Sequence, residues 1–431
     1  MVNKTNLKIT LLLSVFLSAY VNASGSDRVD EIEKKIELLQ QSLLEVKKQQ
    51  NTHDKVEKDL LSATPGYFSV LGSETEFKIS GFVHLDAGVM ESGSGINNTN
   101  FSTYAPILNG TVIGSDKKDT FDMSIRRSQL RLNTKTPIED KSIQTHIEVD
   151  LLGSGGDENF TNSYDVRIRQ AYVTYNGWLI GQTYTNFLNF ASLGEIANLG
   201  QHANALFIRQ TQVKYTSKFE GGSWSVSAEN PYESKSVTIS GDIKDTNKDD
   251  QLIPDLIGRI DLKGDWGTAG IAMMARKLVM DNSEPGSVDD STISGAVSMT
   301  ARFPIFKGSV GLQANYGALG RYLELGPYPD SYVENGELRA FLAKGASAVY
   351  GHTWRPGLRS TLALAYTASA KDLSYFSPSS IDKTSSLQAN VFWDPIKKTT
   401  FGLEYGLYGI ELANGLKQDV YRWQMTAQYN F

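Results

Sequence analysis

The last eleven residues constrain this chain more than any other stretch. Tyr421, Trp423, Met425, Ala427, Tyr429 and Phe431 alternate with Arg422, Gln424, Thr426, Gln428 and Asn430. Successive side chains of a β-strand point to opposite faces. One face of this strand is therefore apolar and rimmed by aromatics, and the other is polar throughout. A helix would repeat every three to four residues instead. In a soluble sheet the apolar face needs a core; in a barrel it meets lipid.

The same period of two recurs from Phe77 onward. Phe77, Ile79, Val83, Leu85 and Val89 oppose Lys78, Ser80, His84 and Asp86. Ile143, Ile147 and Val149 oppose Gln144, His146, Glu148 and Asp150. Leu256, Ile260 and Leu262 oppose Arg259, Asp261 and Lys263. Leu387, Ala389, Val391 and Trp393 oppose Gln388 and Asn390. About sixteen such runs can be marked, near 77–90, 119–136, 142–152, 164–176, 178–187, 207–218, 222–231, 255–264, 267–279, 292–304, 308–318, 338–351, 358–369, 385–394, 398–412 and 420–431. An even number suits a bacterial membrane barrel. The connections alternate in length. The short ones carry turn residues: Thr136-Pro137, Asn176-Gly177, Gly221-Gly222, Asp265-Trp266, Pro304, Pro356-Gly357 and Asp394-Pro395. The long ones are polar: 91–118, 153–163, 188–206, 232–254, 280–291, 319–337, 370–384 and 413–419. Short periplasmic turns and long outer loops are the asymmetry of an outer-membrane barrel, and they put both ends of the barrel on the periplasmic side. The fold class expected is all-β: a transmembrane antiparallel barrel over 77–431. A soluble propeller or sandwich would need a partner sheet for every one-sided strand.

The segments before the barrel read differently. Residues 1–23 form a signal peptide, with Lys4 and Lys8 before the apolar stretch Ile9–Tyr20 and a small-x-small site at Val21-Asn22-Ala23. That stretch falls short of the roughly 20 residues a spanning helix needs. Residues 24–61 form a coiled-coil helix. Val29, Ile32, Ile36, Leu39, Leu43 and Val46 are spaced alternately three and four apart, and Gln50 and His53 continue the series. That seam is too narrow to cover a globular core, and isoleucine at both seam positions favours three or more strands. Residues 62–76, with Pro65, Gly66 and Gly72, form a linker. The absence of cysteine suits a scaffold that needs no disulfide. The net charge of −6, with both signs nearly balanced, gives no case for nucleic acid.

The chemistry lies on the polar faces. A charge facing lipid at the bilayer midplane costs about 2–4 kcal/mol, so strand arginines should point into the lumen. By phase or by that cost, the candidates for a lumen constriction are Arg127, Arg131, Arg167, Arg169, Arg209, Arg259, Arg302 and Arg359. Arg167, Arg169 and Arg209 share parity with apolar neighbours, which a β-bulge would reconcile. Guanidinium groups suit carboxylates and phosphates through planar two-pronged contacts. Asp86, Glu148, Asp150, Asp261 and Glu404 share the lumen, so a transverse field of paired charges is the competing arrangement. The stretch 188–206 is more apolar than an exposed loop should be. Folding back into the barrel would explain that, and so would contact with a neighbouring subunit. Asp245, Asn247 and Asp249 alternate like Ca²⁺ ligands but lack the mid-loop glycine and the closing glutamate, which favours a solvated acidic loop. No other cofactor is indicated. The catalytic motifs G-x-S-x-G and H-E-x-x-H are absent, so no enzyme is expected.

Several segments together resemble the DcaP-type outer-membrane porins: RRSQLRLNTKTP (126–137), RIRQAYVTYNGWLIGQTYTNF (167–187), RQTQVKY (209–215), AENP (228–231) and PDLIGRIDL (254–262). The coiled coil ahead of the barrel resembles that family too, and the terminal Phe431 resembles the signature read by the barrel-insertion machinery. The likeness is densest from 120 to 265; from about 280 it is one of pattern. It implies a homotrimer of sixteen-stranded barrels in the outer membrane, with the coiled coil in the periplasm. It also implies a basic constriction that passes dicarboxylates and similar small anions. Arg127, Arg131, Arg167, Arg169 and Arg209 match the family's arginine-bearing strands. The alternative is a general porin of similar build for small hydrophilic solutes. A receptor with a plugged lumen would need a plug larger than 24–76.

Overall fold

The computed structural model describes residues 27–60, 64–70, 72–93, 117–157, 161–232, 236–238, 243–244, 253–280, 288–323, 327–371, 373 and 376–431. The expected signal peptide and the acidic run Asp245, Asn247 and Asp249 lie outside them. The chain divides into two units, Met1–Glu76 and Phe77–Phe431.

The first unit is built on helix α1, Asp27–Leu60. At 1.5 Å per residue it is about 50 Å long. Lys35 Nζ meets Glu31 Oε1 at 2.7 Å, an i,i+4 pair along the helix surface. Ile32, Ile36, Leu43 and Val46 of the seam are all exposed.

The second unit is a closed antiparallel barrel of sixteen strands. In chain order they are β1 (Glu76–Gly93), β2, β3 (Lys141–Asp150), β4 (Arg167–Tyr175), β5 (Trp178–Tyr184), β6 (Arg209–Phe219), β7 (Gly222–Glu229) and β8 (Asp255–Gly264). There follow β9 (Gly267–Met280), β10 (Asp290–Ile305), β11 (Gly308–Gly317), β12 (Ala343–Arg355), β13 (Leu358–Ser369), β14 (Ile381–Trp393), β15 (Thr399–Leu412) and β16 (Lys417–Asn430). Strand β2 is interrupted, running Lys117–Ser124 and then Gln129–Ile138. Each strand pairs with its neighbours in sequence, and β16 closes on β1 through Val83↔Tyr429 and Met90↔Arg422. Closure leaves no free sheet edge, which is the condition for a sheet to sit in hydrocarbon.

The alternation of β16 is realised in space. Trp423, Met425 and Tyr429 are exposed on the outside, while Val420, Arg422, Gln424 and Thr426 are buried inside. Covering one outward Leu, Ile or Phe with lipid contributes about 1.5–3 kcal/mol. No helix among the described residues is long and apolar enough to cross a membrane.

The turns show where sequence signals mislead. Asn176 (φ 48°) and Gly177 (φ 89°) make the expected two-residue hairpin, both left-handed. A Cβ on Gly177 would lie 2.7 Å from the Thr216 carbonyl oxygen. The expected turns at Thr136-Pro137 and Pro304 are strand instead. The chain reverses two residues later, at Glu139-Asp140 and Phe306-Lys307, where Glu139 and Phe306 take φ of 52° and 51°. The expected run 338–351 also divides. Glu337–Ala340 belongs to a small four-stranded sheet with Ser331–Glu334, Ser236–Thr238 and Ile243–Lys244, and the barrel strand starts at Ala343.

At the long-connection end an apolar core fills part of the barrel. It joins Phe187, Leu188 and Leu206 to Leu319, Tyr322, Tyr328, Phe341 and Phe376. Beneath it, Arg276 lies fully buried. Its Nη1 donates to Asp330 Oδ1 at 2.6 Å and its Nε to Asp255 Oδ2 at 3.2 Å. Tyr322 donates to the same Asp255 oxygen at 2.7 Å. These bonds tie the connection 318–342 to β8 and β9.

Candidate functional site: an inward loop and two sets of arginines

The connection 185–208, between β5 and β6, folds into the barrel. Its backbone is gripped by inward side chains of one strand after another. Arg259 on β8 donates to the Leu188 carbonyl. Asn189 Nδ2 donates to Asp261 on β8 at 2.9 Å and to Thr300 on β10 at 2.8 Å. Arg302 on β10 takes the carbonyls of Ala191 and Leu193. The Ser192 hydroxyl donates to Gln313 on β11 at 3.0 Å. Arg359 on β13 forks onto the Glu195 carboxylate. Asn390 on β14 donates to the Glu195 carbonyl at 2.9 Å.

The tip is clamped from both sides of one residue. Glu404 on β15 accepts the amides of Ala197 and Asn198 at 2.7 and 3.1 Å. Arg127 and Gln424 donate to the Ala197 carbonyl, Gln424 at 3.1 Å. The loop then returns, with Gln388 donating to the Gln201 carbonyl at 2.7 Å and Ala203 donating to Ser386 Oγ at 3.1 Å. Of the two explanations for the apolar character of 188–206, the structure gives the fold-back.

The eight candidate arginines therefore divide. Arg127, Arg259, Arg302 and Arg359 hold the loop. Arg131, Arg167, Arg169 and Arg209 gather on and beside β3 and β4. Arg131 Nε meets Glu148 at 2.7 Å and Arg169 Nε meets the other Glu148 oxygen at 2.6 Å. Arg167 forks onto Asp150 at 3.0 and 2.8 Å, and Arg169 Nη1 shares that carboxylate at 2.8 Å. Arg169 and Arg209 both donate to the Tyr184 hydroxyl, at 3.1 and 3.2 Å. Arg209 has no carboxylate among its described contacts; its guanidinium lies over the rings of Tyr184 and Phe207. Within this second set, Arg131 and Arg167 keep 33% and 38% of their side chains exposed, against 5% for Arg169.

The parity problem of Arg167 and Arg169 is resolved by a bulge. Glu148 pairs with Gln170 while Val149 pairs with Ile168, so Arg169 is the extra residue on β4. Ile168 stays exposed, and both flanking arginines reach the inward carboxylates of β3.

Charge pairing is more extensive than a bare ring of arginines. Arg127 meets Asp86 at 3.2 Å and Arg259 meets Asp261 at 2.7 Å. Arg359 meets Asp394 as well as Glu195. Eight guanidiniums thus face six carboxylates. In the second set three guanidiniums share two carboxylates and Arg209 adds a fourth positive charge beside them, so the positive excess sits there.

Sequence reasoning missed several of these parts. Arg126 is buried, stacked 3.8 Å from the Tyr164 ring centroid, and donates to the carbonyls of Leu151 and Gly153. Arg276 carries no local sequence signal, because its partners Asp255 and Asp330 come from distant segments. Tyr184 and Phe190 meet edge to face at 4.9 Å, and Phe190 remains half exposed. The Asn-Phe-Ala-Ser run that turns Phe190 outward is the only local signal for it. Among the described residues no group of His, Asp and Glu is placed to hold a metal ion.

A closed sixteen-stranded barrel with an apolar outside, a charged interior and a loop folded across it defines a channel of the outer-membrane class. The chain belongs to the porin subfamily, whose family model matches residues 63–424. Its fold is that of the DcaP outer-membrane channel of Acinetobacter baumannii, at a TM-score of 0.72 and 24% identity over 84% of this chain and 99% of that one. It is also similar to a loop L8 deletion mutant of OmpT, an outer membrane protein of Vibrio cholerae. There the TM-score is 0.52 and the identity 10%, over 83% of this chain and 100% of the other. None of the curated proteins matches the sequence. The protein is a porin of the outer membrane.

Proposed function

We propose that this porin passes small anionic solutes, dicarboxylates among them, into the periplasm by passive diffusion. The observation that carries this reading is the set of Arg131, Arg167, Arg169 and Arg209: the first three share the carboxylates of Glu148 and Asp150, and Arg209 beside them donates to the Tyr184 hydroxyl. Arginine keeps its charge at any physiological pH and offers planar paired donors that fit a carboxylate. In a narrow lumen with low-dielectric walls, even a small excess charge concentrates the opposite ion. Arg131, Arg167 and Arg209 are part-exposed and can offer surface to a passing solute, whereas Arg169 is buried.

The working unit is a homotrimer. Its barrels stand side by side and their α1 helices join through the exposed seam Ile32, Ile36, Leu43 and Val46. The barrel's first and last strands begin and end at the short-turn end, which is the periplasmic end in barrels of this class. The coiled coil then lies in the periplasm.

Uptake into liposomes carrying the protein tests the solute class. Succinate and phosphate should permeate faster than a neutral sugar of similar size. Equal rates for succinate and the sugar would refute anion preference. The pairing of six of the eight arginines with six carboxylates favours a second reading, a general porin of weak selectivity. On that reading permeation rates would follow solute size alone.

A further inference from the structure

We propose that Lys218 and Lys263 form a second anion station, below the inward loop and just inside the short-turn mouth. The station rests on the anion reading above and extends it to a second place along the path. A cavity of about 660 Å³ opens here, roofed by Asn189 and Ala191 of the loop and walled by Lys218, Arg259, Asp261 and Lys263. Register fixes its geometry. Lys218 on β6 lies opposite Ser223 on β7, and Ser223 lies opposite Asp261 on β8, two residues before Lys263. The two lysines thus stand on strands separated by one, offset by about 10 Å across the wall and about 7 Å along it, or about 12 Å in all at the usual strand spacing and rise. Both share the phase of inward residues: Lys218 with Gln210 and Gln212, Lys263 with Asp255 and Ile257, all four of them buried.

Their charge is available. Asp261 is engaged by Arg259 at 2.7 Å and by Asn189 at 2.9 Å. Neither lysine has an ion-pair partner among the described residues, and both side chains are exposed. Asp265, in the turn, is the one other carboxylate lining the cavity, so three cations face two anions. The Thr268 hydroxyl, also on the cavity wall, has no hydrogen-bond partner. A solute held by the upper arginines needs a place to go that binds it more loosely, because conduction requires sites weak enough to leave. Lysine suits that position: its ammonium is a mobile, strongly hydrated point charge without the two-pronged grip of arginine.

The test is side-specific block in planar bilayers. Inorganic phosphate is added to one side at a time of the full-length protein while chloride carries the current. The Lys218→Gln/Lys263→Gln double variant should weaken phosphate block from the short-turn side by roughly tenfold, the size expected for removing two charges each about 10 Å from a dianion in water. Block from the opposite side should stay within about twofold, since the arginine set there is intact. Lys218→Arg/Lys263→Arg should retain the wild-type block. Unchanged block from the short-turn side, in a channel that still prefers anions, overturns the station alone. A wild-type channel that prefers cations overturns the reading beneath it as well.

Discussion

Replacing Glu404 with alanine should release the tip of the inward loop while leaving the barrel intact. Glu404 accepts the amides of Ala197 and Asn198 and the side-chain amide of Asn390, the last at 2.9 Å. All three donors are buried. Each backbone N–H left without an acceptor costs about 1–3 kcal/mol, so the two amides together lose about 2–6 kcal/mol. At the lower figure the equilibrium between closed and displaced tip shifts about 30-fold. The ladder around Glu404 is untouched, because its backbone pairs with Asn390 and Gln424 in either case. Hydrogen exchange read by mass spectrometry should speed up at least 30-fold in the peptide containing Ala197 and Asn198, with little change in β14–β16. Single channels should show larger and noisier conductance. Glu404→Gln, which keeps one acceptor oxygen, should fall between. Wild-type exchange and conductance in Glu404→Ala would refute the idea that this carboxylate positions the loop.

Three further outcomes follow from the same geometry. Arg131→Gln with Arg167→Gln should lower anion preference in reversal-potential measurements, whereas Arg302→Met should chiefly disturb conductance by freeing the Ala191 and Leu193 carbonyls. Deleting 27–60 should leave a folded barrel, seen by its β-sheet circular dichroism, but a trimer that dissociates at lower temperature on gel electrophoresis. Gly177→Val should slow or impair barrel folding in detergent, because a left-handed position (φ 89°) strains a β-branched residue by about 1–3 kcal/mol and its Cβ meets the Thr216 carbonyl.

Much of the fold was legible because lipid imposes a rule at every strand. Outward positions must be apolar, so the period of two survives even where the inward residues vary. That is why sixteen runs could be counted, and why the Asn176-Gly177 hairpin stood out. Turns at Glu139 and Phe306 were hidden, since neither residue type advertises a left-handed backbone and the nearby prolines drew attention instead. The site was legible as a set of residue types but not as an arrangement. Parity could place Arg131 inside; it could not place Arg169, because a bulge adds a residue without marking the sequence. Nor could it separate arginines that hold a loop from those that face the solute. That distinction depends on carbonyls of Leu188, Ala191, Leu193 and Ala197, which every residue type presents alike. Glu404 was visible as a lumen acid, but its partners lie about two hundred residues away in the chain.

If the positive excess around Arg131, Arg167, Arg169 and Arg209 sets the selectivity, the open lumen prefers anions. The most direct measurement is the zero-current potential of the purified protein in a planar bilayer under a potassium chloride gradient. The potential should have the sign that shows chloride more permeant than potassium, and it should be larger at low salt, where screening is weakest. A potential showing potassium more permeant would contradict it.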